Sequence, residues 1–219
     1  MSLPAPYYCE DGITIYCGDC REILPEIEGD VMVTDPPYGV GFAGKATKWH
    51  RARGGYTVPD DPEIGPEAIL AALSRVKRAA VFPGVRRMYD YPPPADVGCV
   101  FCPSGAGRGR WGFTLFNPIL YYGKRPPKGP GMTPASIESF ALAGAEGHPC
   151  PKPLEWMTWL VERTSIPGET VLDPFMGSGS TLVAAKLLGR RAIGIEIEER
   201  YCEVAVQRLA QGVLPLEAP

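Results

Sequence analysis

The chain has 219 residues, is 45 % hydrophobic and 21 % charged, and carries a formal net charge of −3 at pH 7. That length and balance suit one globular domain with its own core and exclude a disordered or fibrous chain. No apolar run reaches the roughly 18 residues of a membrane helix, and residues 1–6 lack a basic stretch followed by an apolar one, so no membrane anchor or secretory leader is expected and the cytoplasm is the expected compartment.

The seven cysteines are odd in number and scattered, which argues against a disulfide framework. Two Cys-x-x-Cys pairs, Cys17/Cys20 and Cys99/Cys102, lie about 80 residues apart, too far for a zinc knuckle pair, so buried free thiols and no metal are expected.

Residues 7–20 read as a strand pair: Tyr7-Tyr8-Cys9, a turn at Asp11-Gly12, then Ile13-Thr14-Ile15-Tyr16-Cys17, closed by Gly18-Asp19. A short helix over 20–27 puts Ile23, Leu24 and Ile27 on one face, and a strand over 30–34 follows. Residues 39–61 have no periodicity, and a structureless stretch of that length in a small domain is usually functional. The spacing of Ile64, Ile69, Leu70, Leu73 and Val76 predicts a helix over 62–78. Strands at 79–82 and 97–101 flank a brief helix over 86–91, cut by Pro92-Pro93-Pro94. A loop is expected over 105–111, a strand over 117–122, and an extended Pro/Gly-rich connection over 123–151. The rest reads as helix 154–164, strand 171–173, loop 174–179, helix 180–188, strand 191–197 and helix 198–211, a β-α-β unit with a closing helix.

Two strand ends carry residue types that packing does not need. The first strand, Gly29-Asp30-Val31-Met32-Val33, stops at Thr34-Asp35-Pro36-Pro37-Tyr38-Gly39. Neither proline can donate to a ladder, so the sheet ends there, leaving carbonyls, a carboxylate and a ring at the strand's C-terminal edge, where open α/β sheets bind ligands. The second is Asp173-Pro174-Phe175-Met176-Gly177-Ser178-Gly179-Ser180-Thr181, between a strand and a helix. Its glycines allow close backbone approach and the helix start offers free N–H groups. Leu182 replaces the third glycine of a dinucleotide fingerprint, and no P-loop lysine is present, so neither of those nucleotide motifs fits. About 20 residues on, Ile193-Gly194-Ile195-Glu196 ends in a carboxylate placed to meet a ribose diol.

Together these segments resemble the DNA amino-methyltransferases, which methylate exocyclic amines of adenine or cytosine. Asp35-Pro36-Pro37-Tyr38 resembles the catalytic motif; 173–181 resembles the S-adenosylmethionine motif, with Ser180 in place of the usual Thr; His148-Pro149-Cys150-Pro151-Lys152-Pro153 is similar to the segment leading into the helix before it; Gly18-Asp19 is similar to a fourth motif whose acid reaches the cofactor's adenine. The likeness spans about residues 7–205, with the catalytic loop first and the cofactor loop last, as in the circularly permuted β group.

The resemblance implies an α/β, single-domain class I S-adenosylmethionine-dependent methyltransferase fold: Rossmann-like and circularly permuted, with a mostly parallel seven-stranded sheet and helices on both faces. Within 1–219 it implies a catalytic half (1–122), the connection 123–151 and a cofactor half (152–219), with no separate large target-recognition domain. It assigns Asp35, Pro36, Pro37 and Tyr38 to catalysis, and Asp19, Cys20, Lys152, Asp173, Phe175, Gly177, Ser178, Gly179, Thr181 and Glu196 to S-adenosylmethionine. DNA is the implied partner, a homodimer an open assembly, and restriction-modification a natural setting.

Charge distribution adds a DNA-facing set. No acid lies between Asp35 and Asp60, where Lys45, Lys48, Arg51 and Arg53 occur, or between Asp96 and Glu138, where Arg108, Arg110, Lys124, Arg125 and Lys128 occur. Asp rather than Ser at position 35 leans, by family analogy, towards adenine N6 over cytosine N4. An RNA methyltransferase and a non-catalytic nucleic-acid binder stay open as alternatives. Cytosine C5 chemistry needs a thiol nucleophile, and Pro149-Cys150 lies in a different segment from Asp35. Neither His50 nor His148 is assigned a proton-transfer role.

Overall fold

A computed structural model describes residues 3–37, 66–103, 105, 107–108, 111–126, 134–140 and 152–211. The N-terminal hairpin forms as expected: β1 (Tyr8–Glu10) pairs antiparallel with β2 (Ile13–Cys17) around Asp11 (φ 51°) and Gly12 (φ 76°). The following helix is shorter than 20–27. The chain forms α1 (Cys20–Ile23) and then tightens into a 3₁₀ turn at Leu24–Glu26, where Pro25 interrupts the α-helical bonding. Ile23, Leu24 and Ile27 are buried all the same.

Strand β3 (Val31–Thr34) is buried at every residue and ends at Asp35. Helix α2 (Pro66–Leu73) does not continue to residue 78. Ser74 Oγ caps back on the Ala71 carbonyl at 2.7 Å, Gly29 N donates to Arg75 O at 3.2 Å, and Lys77 N donates to Asp30 O at 3.1 Å. Those bonds draw 74–77 into a turn, and Arg78 opens β4 (Arg78–Val81). Helix α3 (Gly84–Arg87) and a 3₁₀ turn at Met88–Asp90 lead to β5 (Asp96–Phe101). The stretch expected as a plain loop contains a small hairpin, β6 (Gly107–Arg108) with β7 (Phe113–Thr114), and β8 (Phe116–Gly123) then runs antiparallel to both β4 and β5. Inside the Pro/Gly-rich connection, β9 (Ile137–Glu138) adds a two-residue parallel edge to β5.

The C-terminal β-α-β unit follows the sequence reading within a residue or two: α4 (Leu154–Thr164), β10 (Thr170–Asp173), α5 (Ser180–Leu187), β11 (Arg191–Glu196) and α6 (Glu199–Ala210). The sheet order is β1-β2-β11-β10-β3-β4-β8-β5-β9. The expected seven strands are its body, and the short β1 and β9 extend its edges. From β2 to β4 every pairing is parallel, so the C-terminal ends of β2, β11, β10, β3 and β4 share one edge.

Two apolar layers hold the sheet. One joins Ile13, Val31, Val33, Phe82 and Val171 to Trp156, Leu160, Leu182 and Leu209 of α4, α5 and α6; the other joins Tyr16, Met32, Val81, Leu172 and Ile195 to Cys20, Ile23, Leu24 and Ala72. Burying aliphatic side chains on both faces is what a parallel sheet requires. Among the described residues, no helix is long and apolar enough to cross a membrane.

Candidate active site

Parallel pairing places β10 beside β3, with Val171 opposite Val31 and Leu172 opposite Met32. The two motif-bearing ends, Asp173 and Asp35, therefore emerge side by side from strands far apart in sequence.

The Asp173 carboxylate is 2 % exposed and held by three donors. Oδ1 accepts Thr34 Oγ1 at 2.7 Å and the Phe175 amide at 3.1 Å, and Oδ2 accepts Thr181 Oγ1 at 2.5 Å. Burial pushes its pKa up to about 6, a rise that the three hydrogen bonds partly offset. This side chain is turned into the protein.

Gly177 and Gly179 shape the loop above it, with φ of 51° and 79°, a region that L side chains rarely enter. Gly179 is also the N-cap of α5, and a Cβ there would stand 2.8 Å from the Ala205 Cβ of α6. The guanidinium of Arg208, also on α6, fixes the loop by donating to Ser178 O at 2.8 Å, Ser178 Oγ at 3.0 Å and Ser180 Oγ at 3.2 Å. Phe175 packs against the second apolar layer.

Glu196 closes β11 opposite Cys17, and its carbonyl accepts Gly18 N at 2.9 Å. Its carboxylate is oriented by two amides: Gly177 N donates to Oε2 at 3.0 Å and Glu198 N to Oε1 at 2.9 Å. Desolvation raises its pKa, and those amides oppose the rise. Asp19 is the N-cap of α1, accepting Arg21 N at 2.8 Å, and its carboxylate also holds the Arg21 side chain, which keeps its pKa lowered. The Cys20 thiol is buried in the second apolar layer and pushed up to about 11 by that burial, so only its backbone borders the strand edge.

Lys152 reaches from the start of α4 to the end of β3. Its ammonium donates to Asp35 Oδ2 and lies 5.6 Å from the centroid of the Phe82 ring, while its carbonyl accepts Ser180 Oγ at 3.0 Å. Pro36 is buried and Pro37 half-buried beside this pair. Thr34, Phe82, Ser180 and Arg208 complete the constellation, and the sequence assigned a role to none of them, Ser180 being noted only as a departure from the motif's Thr. Thr34 could have been given one, as the residue entering the Asp-Pro-Pro-Tyr run; Arg208 gives no local signal.

Tyr38, Lys45, Lys48, Arg51, Arg53 and Arg110 lie outside the described residues, as do His50 and His148. Arg108 lies on β6. Lys124 and Arg125 do not join the Asp35 face. Strand β8 runs antiparallel to β4, pairing Gly123 with Arg78, and so delivers them to the opposite edge, where they line a cleft with Arg78 and Arg163. Among the described residues no three His, Cys, Asp or Glu side chains converge as a metal site.

Residues 108–207 match the model of the DNA methylase family of N6/N4 type. That match spans somewhat under half of the chain. A protein of Escherichia coli (strain K12) named as a methylase, YubD, is 29 % identical over 210 residues, covering 88 % of each chain. The solved M1.HpyAVI–SAM complex superposes with a TM-score of 0.66 at 24 % identity, over 90 % of this chain and 99 % of that one. The cytosine-N4-specific PvuII DNA methyltransferase gives 0.66 at 17 % identity, over 95 % and 90 %. At these identities the structures establish the fold, that of class I methyltransferases. S-adenosylmethionine is the cofactor that the family match and this fold imply, and the enzyme class that they indicate is S-adenosylmethionine-dependent DNA methyltransferase.

The residues at this edge fit that cofactor: a glycine loop opens α5, and an amide-oriented carboxylate ends β11 where it can meet a diol.

Proposed function

We propose that this protein transfers a methyl group from S-adenosylmethionine to the exocyclic N6 amine of adenine in DNA. The observation that carries the reading is Asp35: a carboxylate at the C-terminal end of β3, fixed by Lys152, one strand from the cofactor loop.

When bound, the cofactor supplies an electrophilic methyl group. The protein's task is to make a poor nucleophile attack it. An exocyclic amine is weakly nucleophilic because its lone pair is delocalised into the ring. Asp35 accepts one amine N–H and the Pro36 carbonyl accepts the other. Those acceptors hold density on nitrogen and offset the positive charge that develops as the new N–C bond forms, a class of interaction worth about 10²–10³ in kcat per group. As that bond forms, the methyl–sulfur bond of the bound cofactor would break to leave a neutral thioether, and the amine would release one proton to solvent water. Alignment of amine and methyl provides further acceleration without a covalent enzyme intermediate. Tyr38 is assigned the stacking face for a base swung out of the duplex.

A DNA substrate is supported by what borders the Asp35 edge. Phe101 and Phe116, partners across β5 and β8, are 40 % and 41 % exposed, and Phe140, next to the Ser139 whose amide donates to Phe101 O, is 69 % exposed. Exposed rings at this edge suit the stacking of unpaired bases.

Adenine is preferred because position 35 is Asp rather than Ser, and cytosine N4 is the second reading. The test is transfer of labelled methyl groups to mixed DNA, followed by nucleoside analysis. N6-methyladenine is the expected product, and N4-methylcytosine alone would overturn the base assignment. Label appearing in competing RNA and not in DNA would overturn the substrate class.

A further inference from the structure

We infer that Lys152 is a positioning residue for Asp35, and the link through which the cofactor loop sets that carboxylate. The inference rests on the reading of Asp35 as the acceptor of the base amine.

Lys152 lies at a junction. Its side chain is 11 % exposed, and the Asp35 side chain that it holds is 24 % exposed. Its ammonium is also placed by the Phe82 ring, itself 1 % exposed and packed on Trp156 with 6.4 Å between ring centroids. Its carbonyl is held at 3.0 Å by Ser180 Oγ, at the first residue of α5. Ser180 Oγ in turn accepts from Arg208, which also grips Ser178 in the cofactor loop. One residue thus joins the catalytic carboxylate, through its side chain, to the cofactor loop, through its backbone.

Geometry favours this role over that of a cofactor ligand: the ammonium is directed at Asp35 Oδ2 and the Phe82 ring. Paired with Asp35, the same ammonium is neutralised and does useful work: it fixes Oδ2, and so the plane of the carboxylate and the direction of the lone pairs offered to the amine. Removing the lysine would take the charged donor from Oδ2 of a carboxylate that is 24 % exposed, at a step that depends on its direction.

The experiment uses the full chain with Lys152→Met, Lys152→Arg, Asp35→Asn and the double variant Lys152→Met/Asp35→Asn. Steady-state kinetics on DNA, calorimetric cofactor binding and urea unfolding without cofactor are measured for each. Lys152→Met is expected to lower kcat about 100-fold, the scale of a lost positioning interaction, while KM for DNA and Kd for cofactor stay within about threefold. Lys152→Arg, which can still donate to Asp35, is expected to recover at least about tenfold of that loss. In the Asp35→Asn background, Lys152→Met should cost almost nothing further in kcat, and the unfolding cycle should be non-additive. A Lys152→Met variant with unchanged kcat but cofactor Kd raised about tenfold or more would make Lys152 a cofactor ligand and overturn the inference; so would an additive unfolding cycle. If wild type methylates no DNA, the proposed function falls, and the unfolding cycle alone decides the pair.

Discussion

Thr34 Oγ1 donates to Asp173 Oδ1 at 2.7 Å, a buried bond between residues 139 positions apart. Thr34 is the last residue of β3 and immediately precedes Asp35. Asp173 is the last residue of β10 and also holds Phe175 N and Thr181 Oγ1. One carboxylate thereby ties together the end of the catalytic strand, the turn into the cofactor loop and the first turn of α5. The likeness to the cofactor motif assigned Asp173 to the ligand. Its geometry supports a different proposal: it sets the distance between the two halves of the site.

That buried carboxylate predicts a pH dependence. Its pKa rises from 3.8 to about 6 on folding, so between those values the native state keeps a proton that the unfolded chain has lost. The native state binds more protons in that window, and the Asp173 contribution to stability falls as pH rises through it, by about 3 kcal/mol in all. Asp173→Asn removes the titration and keeps most acceptors. Urea unfolding at pH 4 and pH 7 should show the asparagine variant gaining on wild type by about that amount at the higher pH. Parallel pH profiles for the two proteins would rule it out. Asp173→Ala, which leaves three buried donors without their acceptor, should destabilise by about 2–4 kcal/mol at pH 4 and, having lost the same titrating group, by correspondingly less at pH 7.

Gly179 is predicted to reject any side chain. Its φ of 79° disfavours one, and a Cβ would press on Ala205 at 2.8 Å. Gly179→Ala should cost about 1–3 kcal/mol in thermal or urea unfolding. Adding Ala205→Gly should recover the part due to contact and leave the part due to φ, so full recovery would show that backbone conformation is not limiting.

Glu196 tests the cofactor loop. Its two oxygens each accept an amide, from Gly177 and from Glu198. In Glu196→Gln one of those amides would face an NH₂ group, and the acceptor offered to a ribose diol weakens. Calorimetry should show cofactor affinity reduced about 10–100-fold with the cofactor-free fold intact. Arg208→Ala, which releases Ser178 and Ser180, should weaken binding about tenfold by loosening the same loop. Unchanged affinity in both variants would remove the loop from the cofactor site.

The parts of the molecule that were legible in the sequence are those with local signatures. The β-α-β unit from Thr170 to Glu196 has buried β-branched strands, a glycine loop and a helical stripe, and each feature registers within a few residues. The two strand ends were legible because Pro36, Pro37, Gly177 and Gly179 serve no purpose in regular structure. Local periodicity overran at Arg78, because the helix stops where Gly29 and Asp30 capture its last turn, a tertiary effect. The hairpin at 107–114 and the edge strand at 137–138 are two-residue pairings, too short for alternation to mark. Lys152 was read with its neighbours in the chain, but its ammonium binds 117 positions away. Arg208 reaches the loop from an amphipathic helix whose pattern says only which face is buried.

The most direct test of the central claim is Asp35→Ala, measured for cofactor binding by calorimetry and for labelled methyl transfer to DNA. The account predicts cofactor affinity within about threefold of wild type and methyl transfer reduced about 10³-fold, because the lost carboxylate acts on the amine and not on the cofactor. Cofactor binding and transfer falling together by the same factor would make the Asp35 loop a structural support and contradict the claim.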